Sequence, residues 1–243
     1  MVKGFTSIVT KGTKGGKKYT KIKYVRTGKV SSKGLHTNVL SSLRVGFPKN
    51  KTVMMRYCSL ATYSTASGGV INQYWSANNL YDPDFTGTGH QPLGYDQWTQ
   101  FYNHNIVKKA KITVTVTGQD SSETGAGVIA LYLSDDATST TTLENLIEQG
   151  KCNYKLINGF MAIGTKTVRA TYDPKKFFNI TDIKDNKDRL GATFGVAPSA
   201  PFDPALFRVA YQDVTATSGK DVTMLVTIDY IVDMSEPKEL TGS

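Results

Sequence analysis

The clearest pattern in the chain is the alternation over residues 106–117. Ile112, Val114 and Val116 fall on one side, and Lys111, Thr113, Thr115 and Thr117 on the other. A period of two places one side of a strand on a core and leaves the other side wet. The same reading gives a long strand from Lys51 onward. There Val53, Met55, Tyr57, Ser59, Ala61 and Tyr63 alternate with Met54, Arg56, Cys58, Leu60 and Thr62, so both sides are partly apolar. Ser67-Gly68-Gly69 makes a turn into a shorter strand, Val70–Trp75. Val128–Leu133 is apolar on both sides, which predicts a central, well-covered strand. Tyr154–Ile157 and Lys166–Tyr172 follow, the second ended by Asp173-Pro174. Phe207, Val209 and Tyr211 mark a seventh strand, and the alternate positions from Val222 to Val232 an eighth.

Helical spacing occurs twice. Tyr95, Trp98 and Tyr102 recur at i, i+3 and i+7, after a proline, Pro92, suited to a first helical turn. Thr141 and Glu144 have capping-box spacing ahead of Leu143, Leu146 and Ile147, with Gly150 as the stop. Residues 179–204 hold charges, glycine and three prolines and predict an irregular surface loop. Short links therefore alternate with connections of about twenty residues or more, which is unlike a simple meander. The fold expected is all-β: an eight-stranded jelly-roll β-sandwich with two short helices in its inter-strand loops. The chain is too long for an OB barrel, and βαβ units are absent. The organisation expected is a flexible basic arm over residues 1–34 and one jelly-roll domain over residues 35–243.

Charge changes this picture from fold to partners. The chain has 243 residues and a net charge of +9, and the charge is segregated. Met1–Tyr81 holds fourteen basic residues and no acidic one. The remainder holds the other fifteen basic residues and all twenty acidic ones, so +14 is followed by −5. Such asymmetry points to a polyanionic partner. In the arm, Lys11, Lys14, Lys17, Lys18, Lys21, Lys23, Arg26, Lys29 and Lys33 surround Tyr19 and Tyr24. Like charges at that density predict disorder in isolation. Cations interleaved with rings suit single-stranded nucleic acid, by phosphate neutralisation and base stacking. Arg44, Lys49, Lys51 and Arg56 extend the basic run. Lys108, Lys109 and Lys111 are candidates for the same lining, because Lys109 and Lys111 share the non-apolar side of their strand.

Catalytic chemistry is not legible. The densest polar group is Asp82, Asp84, His90 and Asp96, and no second histidine stands at a spacing that completes a metal site. The Lys11–Lys18 stretch lacks phosphate-loop spacing. No nucleophile-elbow, zinc-protease or Cys/His pattern occurs. No enzyme activity, cofactor or metal is expected. Cys58 and Cys152 read as buried thiols, with a single bridge left open. No signal peptide is visible, and no apolar run reaches the length of a membrane span. A soluble product made in the cytosol, without a membrane partner, is expected; the basic arm has the composition of a nuclear address.

Residues 81–102, YDPDFTGTGHQPLGYDQWTQFY, resemble a loop of the capsid proteins of small circular single-stranded DNA viruses, the circovirus-like or CRESS-DNA group. The likeness lies in the Asp-Pro, the Gly-Thr-Gly-His-Gln-Pro, the following Asp, and an aromatic-rich segment leading into a basic strand, Tyr102–Val116. The Lys-rich amino terminus and the final-strand Thr227-Ile228-Asp229-Tyr230 are similar too. Lysine, where the family commonly carries arginine, favours loose, sequence-blind neutralisation. The resemblance implies a single jelly roll, about sixty copies of which close a T=1 icosahedral shell around a circular single-stranded DNA genome. Its partners would be itself, that DNA or RNA when expressed alone, and an unnamed host receptor. Its locations would be the virion and the host nucleus and cytoplasm. Long loops over 81–105, 134–151 and 179–204 would make the contacts around symmetry axes, with Trp75, Phe85, Trp98, Phe177, Phe178 and Phe202 as candidate anchors. The competing expectation is a cellular nucleic-acid-binding β protein working as a monomer or small oligomer.

Overall fold

The alternation becomes two antiparallel sheets beyond residue 49. A computed structural model of the chain describes residues 5–14, 16–26, 47–64, 69–118, 126–139, 142–157, 165–194, 199–213 and 221–239. Contacts divide the chain into two units, 1–48 and 49–243.

The first unit contains β1 (Phe5–Lys14) and β2 (Lys17–Arg26), paired antiparallel in unbroken register from Phe5↔Arg26 to Lys14↔Lys17. Within the stretch expected to be a flexible basic arm, 1–34, residues 5–14 and 17–26 thus form paired strands, and residues 27–34 lie outside the described residues. The charges of the hairpin obscure a good strand composition, with Ile8, Val9 and Thr10 on one strand and Thr20, Ile22 and Val25 on the other, and Gly16 in the turn between them.

The second unit is a sandwich. Its strands are β3 (Asn50–Ser64), β4 (Val70–Ser76), β5 (Tyr102–Gly118), β6 (Gly127–Ser134), β7 (Asn153–Ile157), β8 (Lys166–Tyr172), β9 (Gly191–Thr193), β10 (Leu206–Asp213) and β11 (Asp221–Pro237). One sheet runs β3-β11-β5-β8, with the short β9 also on β5; the other runs β4-β10-β6-β7. Counting the eight long strands in order, one sheet reads 1-8-3-6 and the other 2-7-4-5. That interleaving is the jelly roll. All eight predicted strands are present.

The two inner faces make one core. Met55, Tyr57, Ile112, Val114, Val116, Val168, Met224, Val226, Ile228 and Tyr230 come from the first sheet. Trp75, Ile129, Leu131, Phe207 and Val209 come from the second. Tyr230 Oη donates to the Ser76 carbonyl at 2.6 Å, joining the last strand of one sheet to the first of the other. The three long connections, β4–β5, β6–β7 and β8–β10, all leave the same end of the sandwich, because they join the same ends of successive strands.

The helices are α1 (Tyr95–Thr99), α2 (Leu143–Glu148), α3 (Pro174–Phe177) and α4 (Lys187–Leu190), with a 3₁₀ turn at Lys184–Asn186. α1 starts after Gly94, so Pro92 precedes the helix rather than opening it, and Tyr102 belongs to β5. The capping box expected from Thr141 and Glu144 rests on a residue outside those described. The N-cap of α2 is Thr142 without a side-chain bond, and the Leu143 N–H donates to Gln212 Oε1 at 3.2 Å. The loop expected over 179–204 contains a 3₁₀ turn, α4 and β9. Asp173-Pro174 ends β8 and also starts α3, because the Asp173 carboxylate accepts from the Lys175 N–H.

Candidate nucleic-acid interface

The outward face of the β3-β11-β5-β8 sheet follows from its register. Arg56, Asp229, Lys111 and Thr171 form one row across the four strands. The next row is Cys58, Thr227, Thr113 and Arg169, and the one after it Leu60, Leu225, Thr115 and Thr167. On the other side of Arg56 lie Met54, Ile231 and Lys109. Each of these alternates with a core residue, which is why cations and threonines collect on one side. Lys108 is the extra residue of a bulge: Ile231 opposes Lys109 while Val232 opposes Val107. The bulge leaves Lys108 exposed beside Lys109.

Arg56 Nε donates to Asp229 Oδ1 at 2.5 Å, with 70% of the arginine side chain exposed. That hydrogen bond, followed by the carboxylate's charge, raises the guanidinium above its ordinary pKa. Thr62 and Thr223 share a hydroxyl bond at 3.0 Å, and Thr115 and Thr167 one at 3.1 Å. Thr52 donates to Asp233 at 2.8 Å. Such a surface offers guanidinium, ammonium and hydroxyl donors in a flat array, the groups that contact phosphate and sugar. No aromatic residue occupies these outward rows, so base stacking is not among the things this face can do.

The predicted binding residues thus separate into four sets. Lys11, Lys14, Lys17, Lys18, Tyr19, Lys21, Lys23, Tyr24 and Arg26 lie on the β1–β2 hairpin. Lys29, Lys33 and Arg44 lie outside the described residues. Lys49 and Lys51 are exposed at the start of the sandwich, and Arg56, Lys108, Lys109 and Lys111 meet on the outward face. Arg169 and Asp229 complete that face and were not among the binding residues expected from sequence. The alternation of Thr167, Arg169 and Thr171 with Val168, Ala170 and Tyr172 was the signal for the first.

Of the candidate contact aromatics, Trp75 is buried within β4 rather than in a loop. Trp98, Phe177 and Phe178 pack against the core. Phe85 and Phe202 are exposed, Phe202 at 80%, as is the unpredicted Leu93. Neither cysteine is buried: Cys58 is exposed, Cys152 half-buried, and both are free thiols.

The loop 81–92 clips the two sheets together along their open side. The Ser76 N–H donates to the Pro83 carbonyl at 2.7 Å, and the Phe85 N–H to that of Tyr74 at 3.1 Å. Asp84 accepts from the Thr86 N–H and hydroxyl. The His90 ring lies 2.9 Å from the Cys58 carbonyl on β3 and 4.8 Å, centroid to centroid, from Tyr57. A side chain at Gly89 would strike Asp84 Cβ and Tyr57 Oη. Burial, and then Asp84, raises the Asp82 carboxyl above its usual range. Among the described residues no group of metal-ligating side chains occurs, and no helix is long and apolar enough to cross a membrane.

No protein-family model matches the sequence, and no curated protein matches it. Solved structures do. The chain is similar to a structure of Macrobrachium rosenbergii nodavirus, at TM-score 0.45 and 13% identity, over 79% of this chain and 60% of that one. It is similar to Desmodium yellow mottle tymovirus, at TM-score 0.38 and 16% identity, over 83% and 95% of the two chains. It is also similar to a T=1 subviral particle of a Penaeus vannamei nodavirus capsid protein deletion mutant, at TM-score 0.43 and 13% identity, over 77% and 98%. These three are nodavirus and tymovirus structures, outside the group that the 81–102 stretch resembles.

Proposed function

We propose that this chain is a viral coat protein. Its sandwiches associate into a closed shell, and its basic amino-terminal region packages nucleic acid. The observation that carries the reading is the charge split: fourteen cations without one carboxylate ahead of residue 82, joined to a net-acidic remainder. Such a leader neutralises phosphate and releases counterions, which a container of polyanion requires. The jelly roll supplies the wall, and its three long connections, gathered at one end with Phe85, Leu93 and Phe202 exposed on them, supply lateral contacts. The outward face bearing Arg56, Lys109, Lys111 and Arg169 extends the basic lining.

The finer form of the reading is a T=1 shell of about sixty copies around circular single-stranded DNA, with residues 1–34 as its internal arm. It rests on the likeness of the 81–116 region to circovirus-like capsids. The virion is then the protein's location, with the host nucleus as the place of assembly.

Expression of the full chain, followed by negative-stain imaging and nuclease treatment of the particles, tests both levels. Uniform shells holding nuclease-protected nucleic acid are expected, and deletion of residues 2–34 should empty them while the β domain stays folded. A stable monomer that binds nucleic acid without forming particles would replace the coat reading with that of a cellular binding protein. Protected RNA but never DNA, in cells replicating a circular single-stranded DNA template, would remove the DNA assignment alone.

A further inference from the structure

We propose that the β1–β2 hairpin is a ribbon that seats in the groove of double-helical DNA, including the stems a single strand forms with itself. This deepens the packaging reading and rests on it. A tail that only neutralises a single strand needs no register, yet these twenty residues pair without a slip.

The dimensions agree. Ten antiparallel residues span about 34 Å, close to one turn of duplex at about 34 Å. A two-stranded ribbon fits the major groove of B-form DNA, about 12 Å wide. The deep, narrow major groove of A-form RNA does not admit it.

The distribution of charge agrees as well. The five register pairs nearest the turn, from Thr10↔Lys21 to Lys14↔Lys17, hold Lys11, Lys14, Lys17, Lys18 and Lys21. By strand alternation Lys14, Lys17 and Lys21 belong to one face and Lys11 and Lys18 to the other. A single strand laid along a ribbon meets one face. A groove presents two phosphate walls and meets both. Lys14 stands directly opposite Lys17, and like charges so placed are destabilising. A two-stranded ribbon is marginal by itself in water. No acidic residue within the first 81 positions relieves that repulsion, so the relief comes from a polyanion lining the groove. The ribbon is therefore most stable where the phosphates are.

The test keeps every charge and breaks only the pairing. Gly16 has φ +74 in the turn, a conformation proline cannot adopt. The full-length parent, Gly16→Pro and Thr10→Pro are titrated by fluorescence anisotropy at about 0.15 M salt. The probes are a DNA duplex of about 20 base pairs, an oligo-dT of matching length, and the corresponding RNA duplex. Each proline variant should lose about tenfold in affinity for duplex DNA while its affinity for oligo-dT is unchanged. The thermal midpoint of the sandwich should not move. Duplex affinities that are alike in parent and both variants would overturn the proposal, since charge alone would then suffice. So would equal binding of the RNA duplex. Altered particle formation with unaltered binding would reassign the ribbon to contacts between copies. No binding of any probe by the parent would instead bring down the packaging reading beneath it.

Discussion

The two sheets share a core but treat their outward faces differently. On the β4-β10-β6-β7 sheet, Ala130, Tyr132 and Ala210 are roofed by Leu143 and Leu146 of α2, forming a second small core. Arg208 is buried there too, with its guanidinium carbon 4.7 Å from the Tyr132 ring centre and 5.4 Å from that of Tyr74. On the β3-β11-β5-β8 sheet, no such roof lies over Arg56, Lys111 and Arg169 among the described residues, and Met54 and Leu60 stand exposed. One outward face contributes to stability. The other carries hydroxyl pairs between neighbouring strands and is the face proposed to meet nucleic acid.

The largest expected difference is in binding. Replacing Arg56, Lys109, Lys111 and Arg169 together with glutamine should lower nucleic-acid affinity on the order of a hundred- to a thousand-fold at about 0.1 M salt and flatten the salt dependence by about three. The melting temperature should change little. An unchanged slope in a salt titration would show that the open face is a bystander.

Stability should show the reverse asymmetry. Leu146→Ala empties part of the roof and should cost about 2–4 kcal/mol in urea unfolding. Leu60→Ala, at a position 69% exposed, should stay within about 0.5 kcal/mol. Equal costs would erase the contrast between the faces.

Arg208→Ala should cost about 2 kcal/mol, because a desolvated guanidinium stacked between two rings loses its packing and its cation–π contacts. Arg56→Ala breaks an ion pair in which the arginine is largely exposed, and should cost clearly less than Arg208→Ala. Paired denaturation curves decide the order.

The smallest contrast is expected inside the sandwich. Burial pushes Tyr63 on one sheet and Tyr211 on the other each up to about 12. An acid whose folded pKa is raised favours the folded state below its unfolded value, near 10, and that contribution is lost as pH rises toward 12. Unfolding free energy should therefore fall between about pH 10 and 12. Tyr63→Phe and Tyr211→Phe should blunt the fall alike.

How much of this was legible depends on what masks a period of two. The eight strands of the sandwich were readable because apolar residues such as Ile112, Val114 and Val116 recur without interruption. The hairpin at 5–26 was not, because its lysines fall on both faces of the ribbon, erase the apolar–polar alternation and make repulsion the dominant signal. α2 was found from Leu143 and Leu146, but its cap was not, since Gln212 supplies it from 69 positions away. The open face was half visible: Lys109 and Lys111 announced themselves, whereas Asp229 sits in a strand read only for its apolar positions. Arg56 and Asp229 are 173 residues apart, and only strand order makes them neighbours.

The bulge at Lys108 shows how a strand can take in a surplus residue without disturbing what lies on either side of it. Were Lys108 forced into the ladder, Ile106 and Val107 would exchange sides of the pleat: Ile106 would leave Ile183 and Leu190, which now shelter it, and Val107 would turn toward solvent. Because the bulge absorbs it, Val107 still opposes Val232 while Lys109 opposes Ile231. Loss of that single codon would therefore close the bulge in register, sparing the seal and subtracting one ammonium from the landing surface.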